Sequence, residues 1–366
     1  GLGLVVVVVL AVRTLTRPTA TPTPVRTVGP TATVAAALTP ATTVSTPAPM
    51  QTAGPTVTVV AALTPATTVS TPTPVRTMEP TATAIVSATP TITQPPATAT
   101  PTPTLPAALP PDIPALQQLM LTLVNQDRQA NGLVPVAWDA AATAAGLAHA
   151  EEMAQFGYLS HWNLEGQGPD YCYTLAGGLD HVRENVHLYW HSPGAGPDSR
   201  EAWETLVRQA QQSLMESPLH RDNILAPEHT HVGIGIAYNA DTGHLAIAQE
   251  FVDHYVTLQP LPSRVSLGEA ILIQGRLEAG AVNPFINLAY ELFPATLTVT
   301  ELKAPSTYES PAEICEVVPL SADAGGRFSQ SVILDNQRQA GLYHVRVWVE
   351  TKFGRVLAAD VIVGVQ

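Results

Sequence analysis

The first 111 of the chain's 366 residues contain no Phe, Trp or Tyr, and they hold 20 of its 34 prolines. With no large groups to bury, that stretch cannot offset the entropy of ordering a core, so folded material is expected from about residue 112 onward. Cysteine is nearly absent: Cys172 and Cys315 are the only two, far apart and outside any C-x-x-C zinc spacing. They allow one disulfide in an oxidising compartment or two separate thiols, and the count does not choose between them. Lysine is missing from residues 112–256, where five arginines face 18 carboxylates for a net charge of −13. Phosphate binding demands clustered cations, so nucleic acid is not an expected partner.

The sequence opens on twelve apolar residues, Gly1 to Val12, before Arg13. That run is shorter than the ~20 residues that span a bilayer. Residues 1–17 are read as the remnant of a membrane anchor or of a signal-peptide core, and the membrane is an expected partner through this segment. Residues 18–111 form a Thr/Pro/Ala tract in which Pro30–Pro47 recurs in near-identical form from Pro55. Proline interrupts every run, so the expectation is a disordered, polyproline-like stalk open to O-glycosylation. An apolar segment followed by such a stalk points to an extracellular or cell-surface location, membrane-anchored or secreted.

Ordered structure is legible next. Asp112 caps a helix with Pro114 in its first turn, and Leu116, Leu119, Met120, Leu123 and Val124 follow the spacing of one buried face up to Asn131-Gly132. Asp139 caps an Ala-rich helix that ends at Gly157. A third helix begins near Ser199, buries Trp203, Val207, Ala210 and Leu214, and stops before Pro218. Val232–Tyr238 and His244–Val252 alternate as a hairpin around Asn239–Gly243. Helices first and antiparallel strands late give an α+β arrangement for residues 112–256.

Six local patterns stand in order across this region. They are Asn125-Gln-Asp-Arg128 with Gly132-Leu133 and Trp138-Asp139; Ala148-His-Ala150 with Met153, Gly157 and Ser160-His161; Glu184-Asn185-Val186; Ser217-Pro-Leu-His220-Arg-Asp-Asn223-Ile-Leu225; Val232-Gly-Ile-Gly235; and Gln249-Glu-Phe251. Together they resemble a CAP domain (the cysteine-rich secretory, antigen 5 and pathogenesis-related superfamily, also called SCP) of the bacterial type. The resemblance implies an α-β-α sandwich around an antiparallel sheet. It also implies a cavity lined by His161, Glu184, Ser217 and His220. The second acidic position of many eukaryotic members falls near Ser217, beside Glu216, and this departure leaves a four-residue tetrad incomplete. The disulfides of those members are absent too.

Two neutral imidazoles, His161 and His220, suit zinc with positions left open, and Glu184 suits the orienting of an imidazole or general-base catalysis. A metal-free polar network is the competing reading. Asn185 reads as a loop-fixing residue. His149 and His181 read as surface or helix-face residues, and His187 and His191 as solvated loop residues. A Ser217/His220 nucleophilic pair is formally spaced but reads better as a turn.

From Thr257 the pattern becomes strand-like: two short strands within Val265–Gly275, then Ile286–Glu291, Ala295–Leu302, Phe328–Leu334, Tyr343–Glu350 and Val356–Val365. About seven strands over residues 257–366 predict an immunoglobulin-like β-sandwich. The function expected from the whole is a CAP-type ligand-binding or surface-interaction module, its ligand a lipid, glycan or protein. A metal-dependent hydrolase and a structural adhesion protein are the alternatives.

Overall fold

The computed structural model describes residues 8–10, 109–304, 308–312 and 314–366. The stalk and most of the apolar N-terminal segment lie outside these residues. Among the described residues no helix is long and apolar enough to cross a membrane.

A five-stranded sheet organises the first folded region, in the order β1 (Val8–Leu10), β3 (His181–Trp190), β5 (His244–Asp253), β4 (His231–Asn239), β2 (Ala137–Trp138). Pairing is antiparallel except between β2 and β4. Helix α2 (Ala140–Phe156) covers one face; α1 (Ile113–Ala130) and α4 (Arg200–Glu216) cover the other. The result is three layers, α-β-α. Asp112, Asp139 and Ser199 each accept a backbone N–H at the start of their helices, and Gly157 closes α2 in the left-handed conformation at φ 64°. Leu116, Met120, Val124, Trp203, Val207 and Leu214 form one core with Ile234, Ile236 and Phe251. Ala150, Met153 and Tyr158 meet Val186, Leu188, Ala246 and Ala248 on the opposite face.

Short elements that lack a readable period complete this region: α3 (Pro169–Leu175) and α5 (Pro218–Ile224), each seven residues. His187, expected on a loop, lies within β3, which runs on to Trp190. Both faces of β3 are covered, so its polar residues Glu184, Asn185 and His187 are buried along with Val186 and Leu188.

The C-terminal region is strand-rich. One sheet runs β10 (Ile314–Pro319), β9 (Val282–Glu291), β12 (Gly341–Thr351), β13 (Gly354–Val365), β7 (Arg264–Val265); a second runs β11 (Arg327–Ile333), β8 (Ala270–Leu277), β6 (Val256–Leu258). Ile273, Phe328 and Val332 of the second sheet share a core with Ile286, Val345, Val347 and Val361 of the first. The strand expected over Ala295–Leu302 is instead the one-turn helix α6 (Val299–Leu302), started by a reciprocal cap between Thr298 and Glu301. Cys172 and Cys315 are not bonded to each other; the Cys315 thiol donates to the Leu288 carbonyl at 3.2 Å.

Candidate functional site

His161 follows α2 on the loop to α3, Glu184 lies near the start of β3, and Ser217 and His220 open α5. The Glu184 carboxyl takes His161 Nδ1 at 2.7 Å. Ser217 Oγ meets His220 Nδ1 at 2.9 Å. Each ring is therefore tied at Nδ1 by its own chain, and the Nε2 of each is buried without a hydrogen-bond partner. His161, Glu184 and His220 are at most 2% exposed; Ser217 is half-buried.

Burial dictates the protonation of this group. Desolvation pushes His220 down to about 3, helped by His161 and His187, and pushes His161 down to about 3 with His149 adding to it. Both imidazoles are neutral in ordinary buffers. Glu184 is raised by desolvation to about 8. Its register partner across β3 and β5 is Glu250, which burial and the neighbouring Glu184 hold far above the usual carboxylate range. Glu250 keeps its proton and shares it with the facing carboxyl.

Sequence reasoning missed Glu250. The signal was present: a carboxyl inside an otherwise apolar strand, next to Gln249, has to find a partner. His149 and His187 were also misplaced. His149 is buried, 6% exposed, with Nε2 at 2.8 Å from the Ser160 carbonyl and 3.8 Å from Glu184. His187 is fully buried on β3, edge-on to Tyr189 at 4.6 Å, and neither ring nitrogen has a partner. His181 joins His229 on the Asp253 carboxylate, at 3.0 and 2.6 Å. His191 is half-buried after β3, as a loop residue.

Asn185 does more than fix a loop. Its amide donates to Gln249 Oε1 at 3.1 Å and to the His220 carbonyl at 3.3 Å, and it accepts from Asn223 at 3.0 Å. Asn223 in turn meets His229 at 3.0 Å. This chain of amides fixes α5, and with it His220, to the sheet. The Ser217/His220 contact has the reach of a nucleophile and base, yet an imidazole held near 3 is a poor base at neutral pH. Ser217 orients the ring.

Comparison with known proteins finds relatives of the first folded region. Residues 121–258 match the family model described as the cysteine-rich secretory protein family, CAP. That stretch of the chain is a CAP domain of the bacterial kind. The chain is 28% identical over 145 residues to the uncharacterized protein YkwD of Bacillus subtilis (strain 168), a match covering 40% of this chain and 51% of that protein. The match thus spans about half the length of that relative. Among solved structures, an extracellular SCP-domain protein from Bacillus anthracis is 21% identical, covering 38% of this chain and 41% of that one with a TM-score of 0.29. An outer surface protein from Borrelia burgdorferi is 11% identical, covering 38% and 93%, with a TM-score of 0.30.

Proposed function

We propose that this chain is an extracytoplasmic CAP protein whose CAP domain captures a ligand at the Nε2 atoms of His161 and His220, with zinc the ion that this pair holds. One observation carries the reading: two neutral imidazoles are oriented through Nδ1, by Glu184 and by Ser217, while both Nε2 atoms are buried and unpartnered. A carboxyl oxygen that accepts from Nδ1–H leaves Nε2 with its lone pair, the tautomer that binds a metal. Zinc, when bound, supplies a Lewis acid and a contact for an anionic or carbonyl group of the ligand.

Glu184 serves as an orienting residue here. A general base must be ionised, and a carboxyl raised to about 8 is mostly protonated at neutral pH. The reading is therefore of a binding module. The C-terminal region is taken as an immunoglobulin-like sandwich.

Calorimetric titration of zinc into the full chain tests the proposal. Saturable binding in the wild type, lost in His161→Ala/His220→Ala, is the expected result. No binding by the wild type at millimolar zinc contradicts it.

A further inference from the structure

The C-terminal β-region does not stand apart from the CAP domain. Between β9 and β10, Ala295–Leu302 and Tyr308 lie along Ser160–Gly168, the loop that carries His161. The Leu297 amide donates to the Leu164 carbonyl at 2.8 Å. Leu302 is buried in the α2-side core, with Trp162, Leu164, Leu297 and Val299 packed against that core. The Tyr308 ring meets Trp162 edge-on at 5.0 Å.

Two glycines record how close the surfaces come. A Cβ at Gly166 would lie 2.2 Å from the Ala295 carbonyl oxygen, and one at Gly168 would lie 2.2 Å from the Tyr308 ring. Gly168 has an ordinary extended backbone, φ −88° and ψ 175°, so only the neighbouring surface demands glycine there.

Immediately beyond Gly168 a buried cluster bolts the two regions together. Asp170 of α3 accepts from Ser310 Oγ at 3.0 Å and from Tyr308, and it lies 3.7 Å from His344 Nδ1. Asp360 takes His344 Nδ1 at 3.0 Å and Arg346 Nε at 2.9 Å, and Arg346 also donates to Ser310 at 2.6 Å. Glu291 meets the other His344 nitrogen at 3.4 Å. The Ile362 amide donates to Thr174 Oγ1 of α3 at 3.3 Å. Asp170, His344 and Asp360 have the residue types and the mutual distances of a metal site, within 4.8 Å. However, their ligand atoms already face Arg346, Ser310 and one another. The carboxylates around His344 push it up to about 10, so it is an imidazolium and offers no lone pair. This is an ion-pair network, and its place is the seam between α3 and β12–β13.

We propose that the C-terminal β-region is a clamp on the CAP site: Tyr308 and the Leu297–Leu302 segment, anchored by the Asp170/His344/Asp360/Arg346 network, hold the Ser160–Gly168 loop and so position His161. The clamp itself stands on these contacts; its effect on ligand capture rests on the proposed role of His161 and His220. In this account Tyr308 is a positioning residue, and the β-region is a working part of the CAP site as well as a neighbour of it.

Hydrogen exchange on the full chain tests the clamp without reference to any ligand. In Tyr308→Ala, the amides of Ser160–Gly168 are expected to exchange about ten-fold faster, while the cores of β5 and β12 keep wild-type protection. Tyr308→Phe, which keeps the ring against Trp162 and loses only the hydroxyl bonded to Asp170, restores most of the slow exchange. Gly168→Ala loosens the loop in the wild type and adds little in a Tyr308→Ala background, because its clash is with that ring. Zinc titration of the same proteins shows affinity lowered about ten-fold in Tyr308→Ala and recovered in Tyr308→Phe. Unchanged loop exchange in Tyr308→Ala overturns the clamp. So does fully additive loosening by Gly168→Ala. Absence of zinc binding in the wild type, with the exchange results as expected, overturns the proposed ligand and leaves the clamp standing.

Discussion

Arg128 shows how much one side chain can hold in this domain. It is fully buried, and it donates to the carbonyls of Val134, Ile224, Ala226 and His229 at 2.7–3.2 Å. It thereby joins the end of α1 to the segment after α5. Arg128→Met keeps much of the apolar stem but leaves those carbonyls without their donor. Urea unfolding is expected to show a loss of about 3 kcal/mol or more. The sequence placed Arg128 in a family pattern, and His161, Glu184 and His220 were legible in the same way, through residue types at fixed spacing. His187 and Glu250 were not. Their partners and cover come from strands and helices remote in sequence, and no local pattern encodes that.

Elements are held at close range by missing side chains. A Cβ at Gly235 of β4 would lie 2.1 Å from the backbone of Gly146 in α2, and one at Gly233 would lie 2.2 Å from Ala142 backbone. Backbone cannot move aside as a side chain does, so α2 sits on the sheet only because these positions are glycine. Gly235→Ala is expected to cost at least about 1–3 kcal/mol through overpacking, read as a lower melting temperature. The long helices α1, α2 and α4 were legible because a cap, a period and a stop coincide in each. Helices α3 and α5 were not, since seven residues give no period to read. In Ala295–Leu302, β-branched residues suggested a strand, and the Thr298/Glu301 cap outweighed them.

At the scale of the whole molecule, buried titratable groups set a stability optimum in pH. His161 and His220, each lowered to about 3, and His187, lowered to about 4, are neutral when folded. Unfolding lets them bind protons near the ordinary value of about 6.5, so the stability they confer is present above that pH and is lost as pH falls toward 3–4. His344, raised to about 10, works in the opposite direction. Its contribution is complete below about 6.5 and is lost as pH rises through 10. Glu184, raised to about 8, works against the histidine gain, because the unfolded chain ionises it from near 4.5 and its contribution is lost as pH rises from there through about 8. The urea midpoint of the full chain is therefore expected to peak near neutrality and fall on both sides. His187→Phe should flatten the acid limb, and His344→Gln the alkaline limb. Limbs unchanged by both substitutions would place the titrating groups elsewhere. The change from mixed helix and strand to strands was legible from the hydrophobic pattern. The seam was not, because Asp170 and its partners Ser310, His344 and Asp360 are separated by at least 140 residues.

The central claim is that His161 and His220 present unprotonated Nε2 atoms to a ligand. Imidazole nitrogen NMR of the full chain, recorded before and during zinc addition, tests it directly. The account predicts that His161 starts with its proton on Nδ1, and that both Nε2 resonances move together with zinc while the His229 and His344 nitrogens stay fixed. A proton found on Nε2 of His161, or zinc that leaves both resonances in place, would contradict it.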